Sequence, residues 1–202
     1  MSALHLAIVA PSGSGKSTTA GFIVQRCRQR GHMARVLKLA EPLYQLQRAF
    51  YEAAGQKIEV YQQNQKLLED IATHLRAIRP TALVDDFARR LRACDETVII
   101  NDDLRDPDVD LPKLRDLGFR ILRVSADEPA IAARLDQRGD LQTQRASRVD
   151  QTVQRIRPDH VLVNCGTDLQ AYQQDVFAFT DFLLEEAARR APAPPLSQIA
   201  VV

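Results

Sequence analysis

The chain has no tryptophan, three cysteines, two methionines and eight glycines in 202 residues, and its formal net charge at pH 7 is only +1. Each shortage narrows the reading. Cys27, Cys94 and Cys165 are odd in number, far apart and without the paired spacing of a metal site. They read as reduced structural thiols of a cytoplasmic protein, not as a disulfide framework. A near-zero net charge gives no reason to expect a surface for a nucleic-acid polymer. No secretory apolar region opens the sequence and no run is long enough to span a bilayer, so no membrane association is expected. His5, His32, His74 and His160 have no metal spacing and receive no catalytic role. Without tryptophan, a stacked base would fall to Tyr44, Phe50, Tyr51 or Tyr61, and rings at helical spacing are ordinarily core.

What is present is an ordinary globular composition, 45% apolar and 26% charged. The length fits one domain over residues 1–190, followed by an Ala-Pro-rich tail at 191–202 that reads as a flexible terminus. Five apolar runs have strand length: Leu4 to Ala10, Met33 to Leu39, Glu96 to Asn101, Phe119 to Val124 and His160 to Asn164. Helical stretches separate them. This alternation predicts an α/β fold with a parallel five-stranded sheet covered on both faces, and places a ligand beyond the carboxyl ends of the strands. Residues 41–94 interrupt the alternation with an almost wholly helical insertion, broken near Gly55 and Pro80. Leu67, Leu68, Ile71 and Leu75 form one helical stripe, and Leu83, Phe87 and Leu91 another. Such an insertion can cover a substrate or serve as scaffold, and periodicity does not separate the two.

The first strand runs into Ala10-Pro-Ser-Gly-Ser-Gly-Lys-Ser-Thr18, and a helix follows to about Arg30. This is the setting of a phosphate-binding loop. Gly13 and Gly15 let backbone N–H groups of Ser12 to Thr18, including Ser14, turn toward a polyphosphate at the positive end of the helix. Lys16 reaches the β- and γ-phosphates, and the Ser17 hydroxyl can ligate Mg²⁺. Ala10 stands where the first glycine of the pattern is usual.

The third apolar run ends in Asn101-Asp102-Asp103-Leu-Arg105. A carboxylate at a strand end beside a phosphate loop is placed to hold the same Mg²⁺, and Asp102 is assigned to it. Asp103 is assigned to the reacting groups, although neighbours on a strand point opposite ways and the sequence does not rank the two. A third cluster, Arg134, Arg138, Arg145 and Arg148, follows the helix after the fourth strand. Residues 134–150 are read as a lid, with Arg134 near the nucleotide and Arg138 and Arg145 neutralising charge on a transferred phosphoryl group. A solvated charged face, with Asp136, Asp140 and Asp150 in reach, is the alternative. In the insertion, Arg76 and Arg79 can hold an acceptor's phosphate and Glu41 can orient its sugar or base.

Taken in order, these segments resemble the P-loop nucleoside monophosphate kinases of the deoxynucleoside monophosphate kinase type. The resemblance rests on Ala10 to Thr18, Leu39 to Leu43, Ala72 to Pro80, Asp103 to Arg105 and Val163 to Thr167, and spans nearly the whole chain. It implies a three-layer α/β/α P-loop kinase fold and transfer of the γ-phosphoryl group of ATP to a nucleoside monophosphate, with Mg²⁺ as cofactor. By the same resemblance Arg76 binds the acceptor phosphate, Arg105 lies near the acceptor, and Asn164 and Gly166 lie near the adenine. Ala10 and Ala72 replace glycines of that pattern, and the insertion lacks a tryptophan the family commonly carries. Another small acceptor such as dephospho-coenzyme A, or a nucleotide-dependent switch, remains the alternative, and a homodimer is left open.

Overall fold

Leu4, Leu6 and Ile8 point to one side of the first strand and Ala7 and Val9 to the other, and both sides are buried. That pattern requires a central strand with cover on two faces. The computed structural model describes residues 3–136, 153–165 and 168–190. Strands β1 (Leu4–Val9), β2 (Ala34–Val36), β3 (Val98–Asn101), β4 (Phe119–Ser125) and β5 (His160–Val163) form one parallel sheet in the order β2-β3-β1-β4-β5. Among the described residues the helices are α1 (Lys16–Gln29), α2 (Glu41–Ala53), α3 (Gln65–Ile78), α4 (Ala82–Arg92), α5 (Asp110–Asp116), α6 (Glu128–Asp136) and α7 (Leu169–Arg190).

One core joins Leu6, Ile8, Ile100, Leu122 and Val124 to Ala20, Ile23 and Cys27 of α1 and to Val176 and Leu183 of α7. The opposite core joins Val9, Ile99, Phe119 and Ile121 to Leu43, Ile71, Leu83, Phe87 and Leu114 from α2, α3, α4 and α5. Phe87 is fully buried there and meets Phe119 edge-on at 5.6 Å between centroids. Truncating it to alanine should cost about 3–5 kcal/mol, the usual range for a buried ring. The three-layer α/β/α arrangement is therefore the one the alternating runs predict.

The insertion forms α2, α3 and α4, with Gly55 at φ +73° after α2 and Pro80 between α3 and α4. Asn64 caps α3 by accepting from the Leu67 N–H at 3.1 Å. Buried Gln47 pins the connection from the other side, donating to the Gln62 carbonyl at 2.7 Å and accepting from the Asn64 N–H at 2.9 Å.

The second strand is shorter than the run Met33 to Leu39 suggested. Leu37 donates to the Ile100 carbonyl at 2.8 Å, and the chain then leaves the sheet at Lys38. Leu37 and Leu39 are buried in the second core, so the run is apolar because of packing below the sheet and not because of strand pairing. Cys27 is buried, Cys94 half-buried and Cys165 exposed, and all three are free thiols. Among the described residues no helix is long and apolar enough to cross a membrane.

Candidate functional site

β1 and β3 are neighbours, with Ala7 in register with Asn101, so the segments that leave their carboxyl ends emerge side by side. The chain reverses its direction of progress across the sheet around these strands, and such a crevice receives ligands in open α/β folds. From β1 comes the glycine-rich loop. Gly15 takes φ +98° at the N-terminus of α1, a conformation that L side chains resist. Behind it, Thr19 donates from N and Oγ1 to the Gly15 carbonyl, both at 2.9 Å, and its hydroxyl meets that of Tyr172 on α7 at 2.6 Å. The Lys16 ammonium donates to the carbonyls of Ala10 and Pro11 at 2.7 and 3.0 Å. It thus folds over the loop whose N–H groups would face an anion.

From β3 comes Asp102, buried, whose two carboxylate oxygens take different donors. Ser17 Oγ donates to Oδ2 at 2.8 Å, and Lys38 Nζ donates to Oδ1 at 2.7 Å. Burial opposes the charged form of Lys38, yet Asp102 and Asp103 outweigh it and hold the ammonium above its usual range. A hydroxyl and a carboxylate are hard oxygen donors, and Mg²⁺ at phosphate sites takes one or two carboxylates and completes its shell with phosphate oxygens and water. The pair Ser17 and Asp102 fits that role. Among the described residues no group of three or more His, Cys, Asp or Glu side chains could hold a metal.

Asp103 does something different from its neighbour. Its oxygens accept from the backbone N–H groups of Leu39 at 2.8 Å and Ala40 at 3.0 Å, and from Asn101 Nδ2 at 2.6 Å. It ties the segment leaving β2 to the end of β3. Burial and the adjacent Asp102 push its carboxyl above the usual carboxylate range, against Lys38 and those N–H donors. The ambiguity between the two aspartates is resolved by this geometry: Asp102 faces Ser17, and Asp103 faces the insertion.

Two cavities meet at this point. One, of about 380 Å³, lies over Gly13, Gly15, Lys16 and Ser17 and is walled by Lys38, Asp102 and Arg134. The other, of about 460 Å³, opens between the α2–α3 segment, α4 and the β3–α5 loop, with Leu43, Leu68, Leu83, Glu69, Arg76 and Asp110 in its walls. Tyr44, Gln63, Asp103 and Arg105 line both. Burial, with Asp103 near it, pushes the Tyr44 hydroxyl up to about 12, so it is a neutral donor at physiological pH. Among the described residues no hydrogen bond or ion pair engages the Arg105 guanidinium.

Arg76 lies in the second cavity but is engaged. It pairs with buried Asp110 through two contacts, the shorter 2.6 Å, and reaches Asp106 at 3.3 Å. Burial raises the Asp110 carboxyl, with Arg76 opposing. Arg79 corrects the expectation that paired it with Arg76: it lines neither cavity and donates to Asp85 at 2.6 Å on the exposed side of α4. α3 ends at Ile78, so Arg79 leaves in extended backbone and points away from its neighbour. Glu41 accepts from the Tyr61 hydroxyl at 3.1 Å and lies outside both cavity walls.

Arg134 lines the first cavity and donates from Nη2 to the backbone and side-chain oxygens of Asn164, each at 3.2 Å. Its buried Nη1 has no hydrogen-bond partner among the described residues. Asn164 also reaches the phosphate loop. Its Nδ2 donates to the Ser14 carbonyl at 2.9 Å, so the side chain supports the loop from beneath. Arg138, Arg145 and Gly166, with most of the lid over 134–150, lie outside the described residues. Lys38, Gln63, Asp106 and Asp110 were not singled out from sequence. Only Lys38 carried a signal, a charge inside an apolar run at a strand end.

No protein-family model matches the chain, and no curated protein sequence matches it. Solved structures do. A gluconokinase from Sinorhizobium meliloti 1021 is 15% identical with a TM-score of 0.50, over 94% of this chain and 98% of that one. A shikimate kinase from Bacteroides thetaiotaomicron is 11% identical with a TM-score of 0.51, over 90% of this chain and 98% of that one. At such identities the likeness speaks of architecture. The chain has the three-layer α/β/α fold of P-loop kinases, with its parallel sheet and its loop after β1.

Proposed function

We propose that this protein is a phosphotransferase that moves the γ-phosphoryl group of ATP, with Mg²⁺, to a small-molecule acceptor. The observation that carries the reading is the shared wall: Tyr44, Gln63, Asp103 and Arg105 border both the phosphate-loop cavity and the cavity of the insertion. Two substrates held on either side of one wall can approach in line, and phosphoryl transfer asks the protein chiefly for such positioning and for positive charge.

In this reading Lys16 leaves the Ala10 and Pro11 carbonyls to bind the β- and γ-phosphates, while the N–H groups of residues 12–18 hold their oxygens. Ser17 and Asp102 would hold the cation, whose positive charge would offset that of the phosphates. Arg105 and the unpartnered Nη1 of Arg134 are donors aimed at negative charge on either side of the transferred group. Asp103 keeps the wall in place through Leu39 and Ala40.

The finer reading is a nucleoside monophosphate acceptor, a deoxynucleotide or modified nucleotide, as the resemblance to that kinase type implies. Its attacking oxygen belongs to a phosphate whose second pKa is about 6, so it arrives largely ionised and needs no base. That suits a site whose central carboxylate, Asp103, is occupied by N–H donors. Engagement of Arg76 by Asp106 and Asp110 favours a second reading, an acceptor without a phosphate, which would need a base to take its hydroxyl proton. ADP release from ATP and Mg²⁺ across nucleoside monophosphates, sugar acids and other alcohols decides between them, with Lys16→Ala as control. Release stimulated by one acceptor class and lost in the variant supports the kinase. Slow hydrolysis indifferent to every acceptor, or binding without turnover, would rule it out.

A further inference from the structure

Each oxygen of Asp102 already accepts one donor, Oδ2 the Ser17 hydroxyl and Oδ1 the Lys38 ammonium. The pair is sheltered, with side-chain exposures of 16% for Lys38 and 2% for Asp102. These partners differ in what a metal asks of them. The Ser17 oxygen keeps lone pairs for a cation while it donates its proton. The ammonium has no lone pair to offer, and it puts a full positive charge where a second cation would sit. We propose that Lys38 is a built-in counter-cation for Asp102 that a divalent metal must displace, so that this lysine sets how tightly the phosphate site holds its metal. The inference rests on the reading above, in which the loop binds a nucleotide with Mg²⁺.

The surroundings allow the exchange without unfolding anything. Lys38 stands on the segment leaving β2, and Asp103 fixes that backbone through the N–H groups of Leu39 and Ala40. Movement is therefore confined to the four-carbon stem. Lys38 Nζ already stands over the Tyr61 ring, 5.3 Å from its centroid, and the Tyr61 hydroxyl donates to Glu41, so the ammonium can keep this contact when it gives up Asp102. An ammonium over an aromatic face is favourable, more so when partly desolvated. Asp103 and the neutral hydroxyl of Tyr44 on α2 are the remaining titratable neighbours of Lys38, and both lie on the wall between the cavities. The displaced charge thus stays beside the phosphates when the metal takes its place on Asp102.

The test is Mn²⁺ binding followed by electron paramagnetic resonance at saturating ADP, which needs no turnover. Lys38→Met should tighten Mn²⁺ by about 5-fold or more, the lower end of ordinary coupling between two sites. Lys38→Arg keeps a cation against Asp102 and should stay near the wild type. Asp102→Asn should weaken the metal in both backgrounds and erase the difference. The rise in melting temperature on adding Mg²⁺ with ADP should be larger in Lys38→Met than in the wild type, and Lys38→Gln serves as a second neutral variant for both measurements. Equal or weaker Mn²⁺ affinity in the neutral variants, with ADP still bound, would overturn the role of Lys38 and leave the nucleotide reading intact. Failure of wild-type protein to bind ADP with or without metal would overturn both.

Discussion

The side-chain amide of Asn164 fills the space that a Cβ on Gly15 would occupy. Nδ2 lies 2.5 Å from that position and donates to the Ser14 carbonyl at 2.9 Å. The end of β5 thereby fixes the shape of the loop that follows β1, and Arg134 of α6 is tied to the same residue through its oxygens.

Gly15→Ala should therefore fail twice, through a backbone at φ +98° and through collision with a side chain anchored in a buried hydrogen bond. The strained conformation alone costs about 1–3 kcal/mol. Nucleotide affinity, read by a fluorescent ADP analogue, should fall well beyond that of Asn164→Ala. The double variant should recover only part of the loss, because removing Asn164 relieves the collision and leaves the backbone strain. Full recovery would show that the collision was the whole effect.

Arg105 and Arg79 should separate cleanly in steady-state kinetics with both substrates varied. Arg105→Ala should raise KM for a phosphorylated acceptor by about tenfold or more, the equivalent of one charge-assisted hydrogen bond, with a smaller effect on KM for ATP. Arg79→Ala should change neither by more than about twofold, since its partner Asp85 lies on an exposed surface. Equal effects from the two would remove the acceptor role from Arg105.

Arg76→Ala should destabilise the fold by about 1–3 kcal/mol, because it strands the buried carboxylate of Asp110. The sign of its pH dependence follows from the raised Asp110 carboxyl. A raised folded-state pKa means that stability is full below the unfolded value and declines as pH rises through the folded one. Loss of Arg76 raises that pKa further, so the deficit measured by urea unfolding should be larger at pH 8 than at pH 5. Arg76→Ala with Asp110→Asn should recover part of it.

Asp181 predicts the opposite sign. Arg30 and Arg26 each bond both of its oxygens and hold its carboxyl far below the usual range. A lowered pKa contributes stability above about pH 4 that is lost as the carboxylate is protonated at lower pH. Asp181→Asn should cost about 1 kcal/mol at pH 7, discounted for the exposure of its partners, and progressively less as the pH falls toward 2. A cost independent of pH would mean that α1 and α7 are joined there by packing alone.

Local pattern announced much of the architecture, because strand pairing in a buried parallel sheet demands continuous apolar runs and those runs are contiguous in the chain. β1, β3, β4 and β5 and the three helices of the insertion were legible in this way, as was the loop at 10–18, whose shape depends on glycines inside one short segment. β2 was legible only in part. Leu37 and Leu39 are apolar for the sake of the core below the sheet, and composition cannot tell burial by packing from burial by pairing.

Partnerships between distant segments were not legible. Whether Asp102 or Asp103 faces Ser17 depends on the pleat at the end of β3 and on its register with β1. That Arg79 turns away while Arg76 turns in depends on where α3 stops, and that Asn164 supports the loop depends on β5 lying two strands from β1. Nothing within a few residues of Lys38 reveals that it meets Asp102, 64 positions later in the chain. The chain's own letters determined that it has a phosphate-binding loop on an α/β sheet, since those features arise from short-range backbone geometry and periodic burial. Which charges face one another across the crevice was decided only by the tertiary fold, because electrostatic partners are set by distance in space.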